Sequence, residues 1–497
     1  MILAITITKL FIIVGGLGLL ATGLTYGVFN ERKNLFVSYL QNFSGAFFIF
    51  SGVVKAMDPL GTAYKMVDYF TEFYDVFSNT WMSFIAPLFP LLSEYSVGFS
   101  VFMIVLEIVL GIMLIIGSNN KLSSWLFFLM VAFFTFLTGF TSLTGYVPEG
   151  VNFFSFSEWG AFDKNNMKVT DCGCFGDFLK LEPFTSFRKD LFLLIPAFVF
   201  LFRSKDMHTI FSPKVRTGIV VGSTVLLTLY CFSNYVWDIP SVDFRPFAEN
   251  VNVREKKTLE EKSMAEAPVN YVFTNKADGA VTSMSMEDYM KRYKEFPKDK
   301  FDLEQIQDEP KIARTKISEF AVDDFNSNEI SEELLNEKGY SLMYVCYTLG
   351  YSEGEKTIMV GDTSWLVDTV GTAGTAEFQL VKKVDKITQR EEKVKDYIFE
   401  SDYKSRFTDI VNPFAEAAQK VGVKVYGIAG KAGEETIKDF QEEVKATYPI
   451  YMADDILLKT IVRSNPGIVL LKDGKILKKW HYKKLPSFDE VKAEFIK

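Results

Sequence analysis

The chain has 497 residues, 48% of them hydrophobic and 48 of them phenylalanine, and carries a formal net charge of −8. That balance argues against a nucleic-acid partner, and four cysteines are too few to staple a fold together. Apolar blocks run to about residue 236 and charge is dense beyond it, so an integral membrane half followed by a water-soluble half is expected.

The first run, "LAITITKLFIIVGGLGLLATGLTYGVF", is too long for a secretory signal and lacks a small-residue cleavage site before a polar start. It reads as a retained membrane helix. Spanning takes roughly 20 mainly apolar residues, which gives about six candidates: 4–27, 38–57, 97–117, 122–143, 187–203 and 216–236. The fifth is short and includes Pro196.

Connecting loops one, three and five hold Arg32 and Lys33, then Lys121, then Arg203, Lys205, Lys214 and Arg216. Positive loops face the cytoplasm. Six spans then place both termini, the second and fourth loops and the soluble half on the opposite side, which in a bacterium is the periplasm. The expected location is therefore the bacterial inner membrane, crossed several times. The second loop, about 58–96, carries aromatic residues at helical spacing and is expected to lie in the interface as a lid. Glu107 in mid-span and Lys55 near the end of the second span are intramembrane polar candidates. An ionisable side chain at that depth marks a functional site or a tie between helices, and Lys55 can also snorkel to the interface.

The fourth loop contains "TDCGCFGD", residues 170–177. A bridge between Cys172 and Cys174 would close a small ring through Gly173, the residue type that best tolerates the backbone angles needed. Strain makes such a bridge easy to reduce and suited to passing oxidising equivalents to another thiol. Asp171 and Asp177 would raise the thiol pKa values, whereas Lys168, Lys180, Arg188 and Lys189 would lower them. Two other readings remain, a structural turn over the bundle and half of a tetrahedral metal site. No metal ligand set is evident, because His208 is on the cytoplasmic side and His481 is far along the soluble half. Cys231 and Cys346, in a span and a strand-like run, read as small buried hydrophobes.

"DCGCFGD" before a final pair of spans, with "SGAFFIFSGVVKAMDPLGTAYKM" and "LEIVLGIMLIIG" in the second and third, resembles the DoxX/MauE group of redox-associated membrane proteins. The resemblance covers about residues 35–205, in a long form with a periplasmic extension. It implies a four-helix membrane core tied to periplasmic thiol or respiratory redox chemistry. The implied functional positions are Cys172 and Cys174, with Lys55 and Glu107 in the matching helix motifs. The extra first and last spans and the extension depart from the short members, so no particular substrate is carried over.

The soluble half opens with an expected extended connector, about 237–316, carrying a few short strands, followed by strands alternating with helices and ending in a hairpin, an α/β pattern. That order, over 317–497, resembles a thioredoxin-like domain. "NPG" before the final hairpin matches the place where such domains carry a cis-proline, which makes Asn465 and Pro466 the candidate partner-binding loop. The C-x-x-C of a thioredoxin is replaced by "YTLGYSEGEK" and an insertion at about 350–402. The domain therefore lacks a dithiol of its own and reads as a module that binds a partner.

The leading expectation is periplasmic thiol–disulfide exchange through the C-x-C pair, with a periplasmic or membrane protein as partner. Reoxidation needs an electron acceptor, a membrane quinone or another protein; no haem, flavin or nucleotide fingerprint is visible. The alternative is a non-catalytic assembly or scaffold subunit of an envelope complex, its thioredoxin-like domain forming the partner surface. A transporter fits less well, since no internal repeat or paired broken helices are seen.

Overall fold

The computed structural model describes residues 6–169, 172–308, 310–370 and 379–496. The chain divides into two compact units, one reaching Val251 and the other starting at Asn252, with residues 460–464 and 483–485 counted with the first.

The first unit is helical: α1 Ile7–Gly27, α2 Leu35–Met57, α3 Pro59–Ser78, α4 Leu88–Glu94, α5 Ser96–Ile116, α6 Asn120–Thr144, α7 Pro183–Arg203 and α8 Pro213–Phe232. Polar caps set several starts. The Asn34 side chain accepts from the Val37 amide at 3.0 Å, and Asp58 accepts from the Gly61 amide at 3.1 Å just ahead of α3, where Pro59 occupies the first turn. Five helices, α1, α2, α5, α6 and α8 with its extension to Trp237, are long and apolar enough to cross a membrane. The segment expected as the fifth span, 187–203, forms the helix α7 of 21 residues but is not among those five. Its composition falls short because Arg188, Lys189 and Asp190 sit in its first two turns. The expected lid is helical, formed by α3 and α4.

α2 is the buried centre of the bundle, whereas α1 and α8 expose Leu19, Leu20, Val225 and Leu226, as helices bordering lipid do. Buried amides replace water along α2: Gln41 Nε2 donates to the Leu114 carbonyl at 2.7 Å and Asn42 Nδ2 to Thr22 Oγ1 at 3.1 Å. α2 and α5 meet through small residues. A Cβ added at Gly45 would lie 2.7 Å from the Gly111 carbonyl oxygen and 2.6 Å from Ile115 Cγ1. Gly45→Val is therefore expected to lower stability by about 1–3 kcal/mol through overpacking. Thermal unfolding in detergent checks this against Gly23→Val, where nothing lies within 4 Å. Equal melting of the two variants would show that the close approach carries no weight.

The second unit begins within the stretch expected as an extended connector with a few short strands. α9 (Val253–Ala265) precedes an antiparallel sheet, order β2-β1-β3, of β1 Val269–Asn275, β2 Val281–Ser285 and β3 Phe301–Gln307, with α10 Met286–Arg292 between the last two. Charge hid a small aromatic core of Tyr271, Phe273, Tyr289, Phe296 and Phe301. α9 is fastened by Glu260, which is buried and accepts from the Thr315 amide at 2.9 Å and its hydroxyl at 2.7 Å.

The remainder is α11 Ser331–Asn336, β4 Tyr340–Cys346, β5 Tyr351–Val370, β6 Gln379–Phe399, α12 Ser401–Arg406, α13 Asn412–Lys420, β7 Lys424–Ala429, α14 Glu434–Val444, β8 Ile450–Met452, α15 Asp455–Ile461, β9 Gly467–Lys472, β10 Lys475–His481 and α16 Phe488–Phe495. A five-stranded sheet runs in the order β10-β9-β4-β7-β8. β7 is parallel to both β4 and β8, while β9 is antiparallel to β4 and to β10. The expected α/β pattern is thus present. The insertion is one long two-stranded ribbon, β5 with β6, carrying cross-strand ion pairs such as Lys393–Glu355 at 3.1 Å and Arg390–Asp362 at 2.9 Å.

Candidate functional site

The loop between α6 and α7 folds its C-x-C segment against the bundle. Phe175 anchors it, fully buried with its ring 5.8 Å from that of Phe47 and 6.1 Å from that of Phe50. Gly173 takes a left-handed φ of +62°, and a Cβ there would press on Lys65 Cγ at 3.0 Å, so the turn itself requires a glycine. The Cys174 carbonyl accepts from Ser51 Oγ at 3.1 Å.

Cys172 and Cys174 are thiols, half-buried, with their sulfurs 2.9 Å apart. Cys172 Sγ also lies 2.8 Å from Ser186 Oγ. The environment splits the two thiols. A hydrogen bond from Cys174, the nearby Lys189 ammonium and the Ser186 hydroxyl bring Cys172 down to about 7, against the opposing effect of burial. The Cys174 thiol is held well above the usual range, because it donates to Cys172, is buried, and faces the Cys172 charge.

Of the four expected cations, Lys189 is the one that bears on Cys172 among the leading influences. It forms a buried ion pair with Asp190, which also accepts from Thr138 Oγ1 at 2.9 Å. Lys180 instead pairs with Asp177 at 3.5 Å, and the Arg188 guanidinium lies over the Phe184 ring. Asp171 lies outside the described residues. Ser51, Thr138, Ser186 and Asp190 were not expected from the sequence; the charged doublet Lys189–Asp190 at the start of an apolar helix was the available signal.

Lys55 and Glu107, read separately, form one ion pair of 2.5 Å between α2 and α5, both side chains at most 6% exposed. Lys55 Nζ also sits 5.0 Å from the Phe134 ring centroid. Both residues border the cavity that the two cysteines line. Among the described residues, no group of three or more His, Cys, Asp or Glu side chains could hold a metal.

In the second unit the Asn465–Pro466 peptide is cis, as expected. Asn465 Nδ2 donates to the Thr348 carbonyl at 2.8 Å, its Oδ1 accepts from the Tyr403 hydroxyl at 3.2 Å, and its carbonyl accepts from Arg406 Nη1 at 2.6 Å. These bonds hold the proline loop at the end of β4. Burial pushes the Cys346 thiol in that strand up to about 12, so this cysteine is a packing residue. Cys231 is also buried. His481, the last residue of β10, is 3% exposed.

The chain matches no family model, no curated protein and no solved structure.

Proposed function

We propose that the chain is a membrane protein of the DoxX/MauE type that takes part in thiol–disulfide exchange through Cys172 and Cys174. The observation that carries this reading is the asymmetry of the pair: adjacent sulfurs, one pulled down to about 7 and the other pushed up. A structural turn has no use for that split.

In the oxidised form, a partner thiolate attacks the Cys174 sulfur and Cys172 leaves as thiolate, since the thiol of lower pKa leaves faster. The partner's second thiol then attacks its own sulfur in the mixed disulfide. That step releases the partner as a disulfide and leaves Cys172 and Cys174 reduced, with two electrons moved and one bridge exchanged for another.

In this reading α7 is the sixth crossing, and the C-x-C loop, both termini and the second unit face the periplasm of a bacterial inner membrane. The mixed five-stranded sheet with a cis-proline ahead of β9 supports a thioredoxin-like assignment for residues 317–497. With Cys346 buried, that unit supplies partner binding through the Asn465–Pro466 loop and leaves the chemistry to the membrane unit.

Differential alkylation of the intact protein, equilibrated in graded thiol buffers and followed by mass spectrometry of the Cys172–Cys174 peptide, tests the proposal. Reversible conversion between dithiol and bridge at a mildly oxidising potential is expected. Thiols that never pair, or a bridge that resists reduction throughout, would refute it. The scaffold reading is favoured instead if Cys172→Ser/Cys174→Ser leaves cellular function intact.

A further inference from the structure

The thiol pair forms part of the wall of a cavity of about 340 Å³ bounded by α2, α3, α5, α6 and α7, within the size range of small-molecule sites, about 300–1,000 Å³. Most of the remaining wall is aromatic or aliphatic, including Phe70, Phe99 and Phe134. Two cavity residues, Phe133 and Phe136, are 37% and 57% exposed on α6, a helix apolar enough to cross a membrane. The cavity wall therefore includes side chains exposed on a helix of membrane-spanning composition, which suits an occupant soluble in lipid.

Its polar features are chemically specific. Besides the two sulfurs and the hydroxyls of Ser51, Thr62, Tyr69 and Thr138, they are the ammonium groups of Lys55, Lys65 and Lys189, each paired with a carboxylate, on Glu107, Asp68 and Asp190. A lipid acyl chain would lay hydrocarbon against these charges and offer them no acceptor. A flat ring with carbonyl oxygens satisfies both halves of the wall, stacking on the aromatic residues and accepting from the ammonium groups.

We infer that this cavity binds a lipid-soluble quinone that reoxidises the Cys172–Cys174 dithiol. The inference rests on the thiol-exchange reading above and names its electron acceptor. The Cys172 thiolate, the Cys174 thiol, one quinone and one proton from the medium give the Cys172–Cys174 disulfide and one quinol. The sulfur–sulfur bond forms, two electrons pass to the ring, and the Cys174 proton with the added one completes the two hydroxyls.

The test uses the full chain in nanodiscs, reduced and held without oxygen, with decylubiquinone and menadione as probes. Quinol formation is read by ultraviolet absorbance and thiol loss by alkylation and mass spectrometry. One quinone reduced per pair of thiols lost is expected. Val131→Phe and Leu137→Trp, which fill the cavity, are expected to slow quinone reduction about tenfold relative to each variant's own rate with the thiol oxidant diamide. That ratio corrects for any loss of folded protein. Thiols that pair with diamide but not with either quinone would overturn the quinone inference and leave thiol exchange standing. Thiols inert to all three would overturn both. Quinone reduction undiminished in both filled variants would overturn the cavity as its site.

Discussion

Lys55→Met is expected to cost the membrane unit about 3–5 kcal/mol, the range for breaking a buried ion pair by removing one partner. Lys55 Nζ and Glu107 Oε2 are 2.5 Å apart, and both side chains are nearly inaccessible. Removing the ammonium leaves the Glu107 carboxylate buried on α5 without its partner, at a cost. The same deletion does not prove that the pair stabilises the bundle, since a well-packed apolar replacement is often neutral or better. Lys55→Met/Glu107→Leu is accordingly expected to melt close to the wild type. Thermal unfolding of the two single variants, the double variant and the parent in detergent closes the cycle. A Lys55→Met protein that melts with the parent would remove the pair as a tie between α2 and α5. A stable double variant that has lost quinone reduction would assign the pair to the cavity's chemistry instead of the bundle's architecture.

What could be read from the sequence follows the physics of each signal. Spans were visible because hydrocarbon demands long apolar runs, and the six expected segments all fall on helices of the structure. α7 shows the limit of that signal: its C-terminal part is as apolar as its neighbours, while Lys189 and Asp190 dilute the start. Those same charges prove to be the partners of the site. Their meaning depends on Thr138, 52 residues before Asp190, and on a loop geometry that composition does not encode. Lys55 and Glu107, also 52 residues apart, were each noticed as unusual, because a charge in a span stands out by itself. That they meet is set by the close packing of α2 on α5 through Gly45 and Gly111, a tertiary fact.

In the second unit the alternation of strands and helices and the position of the cis-proline were accessible, since both leave local marks. The three-stranded sheet of residues 269–307 was legible only as a few short strands in a connector, because exposed charges outnumber the few buried aromatics that hold it. Burial of His481 escaped for a related reason: whether the last strand of a hairpin is covered depends on distant chain. The ribbon formed by β5 and β6 pairs over twenty residues with charges on both strands, which hides it in a charged stretch of sequence.

The most direct probe of the split between the two sulfurs is the rate at which Cys172 is alkylated as a function of pH. In the parent, with Cys172 near 7, about half the thiol is ionised at pH 7 and the rate reaches half its plateau there. Cys174→Ala removes the hydrogen bond that contributes most to that lowering. The thiol then moves toward its ordinary value of about 8.5. Ionisation at pH 7 falls toward a few per cent, so alkylation slows by up to about 15-fold while the plateau at high pH is kept. Direction is fixed by the chemistry: only the thiolate reacts, and raising its pKa removes it at neutral pH but not in alkali. Cys172→Ser/Cys174→Ala supplies the blank for slow reaction at buried Cys231 and Cys346. Lys189 and Ser186 remain in the single variant and retain part of the lowering, so adding Ser186→Ala should move the midpoint further up. A parent and a Cys174→Ala variant with the same midpoint would mean that the second sulfur does not tune the first. The asymmetry on which the exchange mechanism depends would then be absent, whatever the potential of the pair.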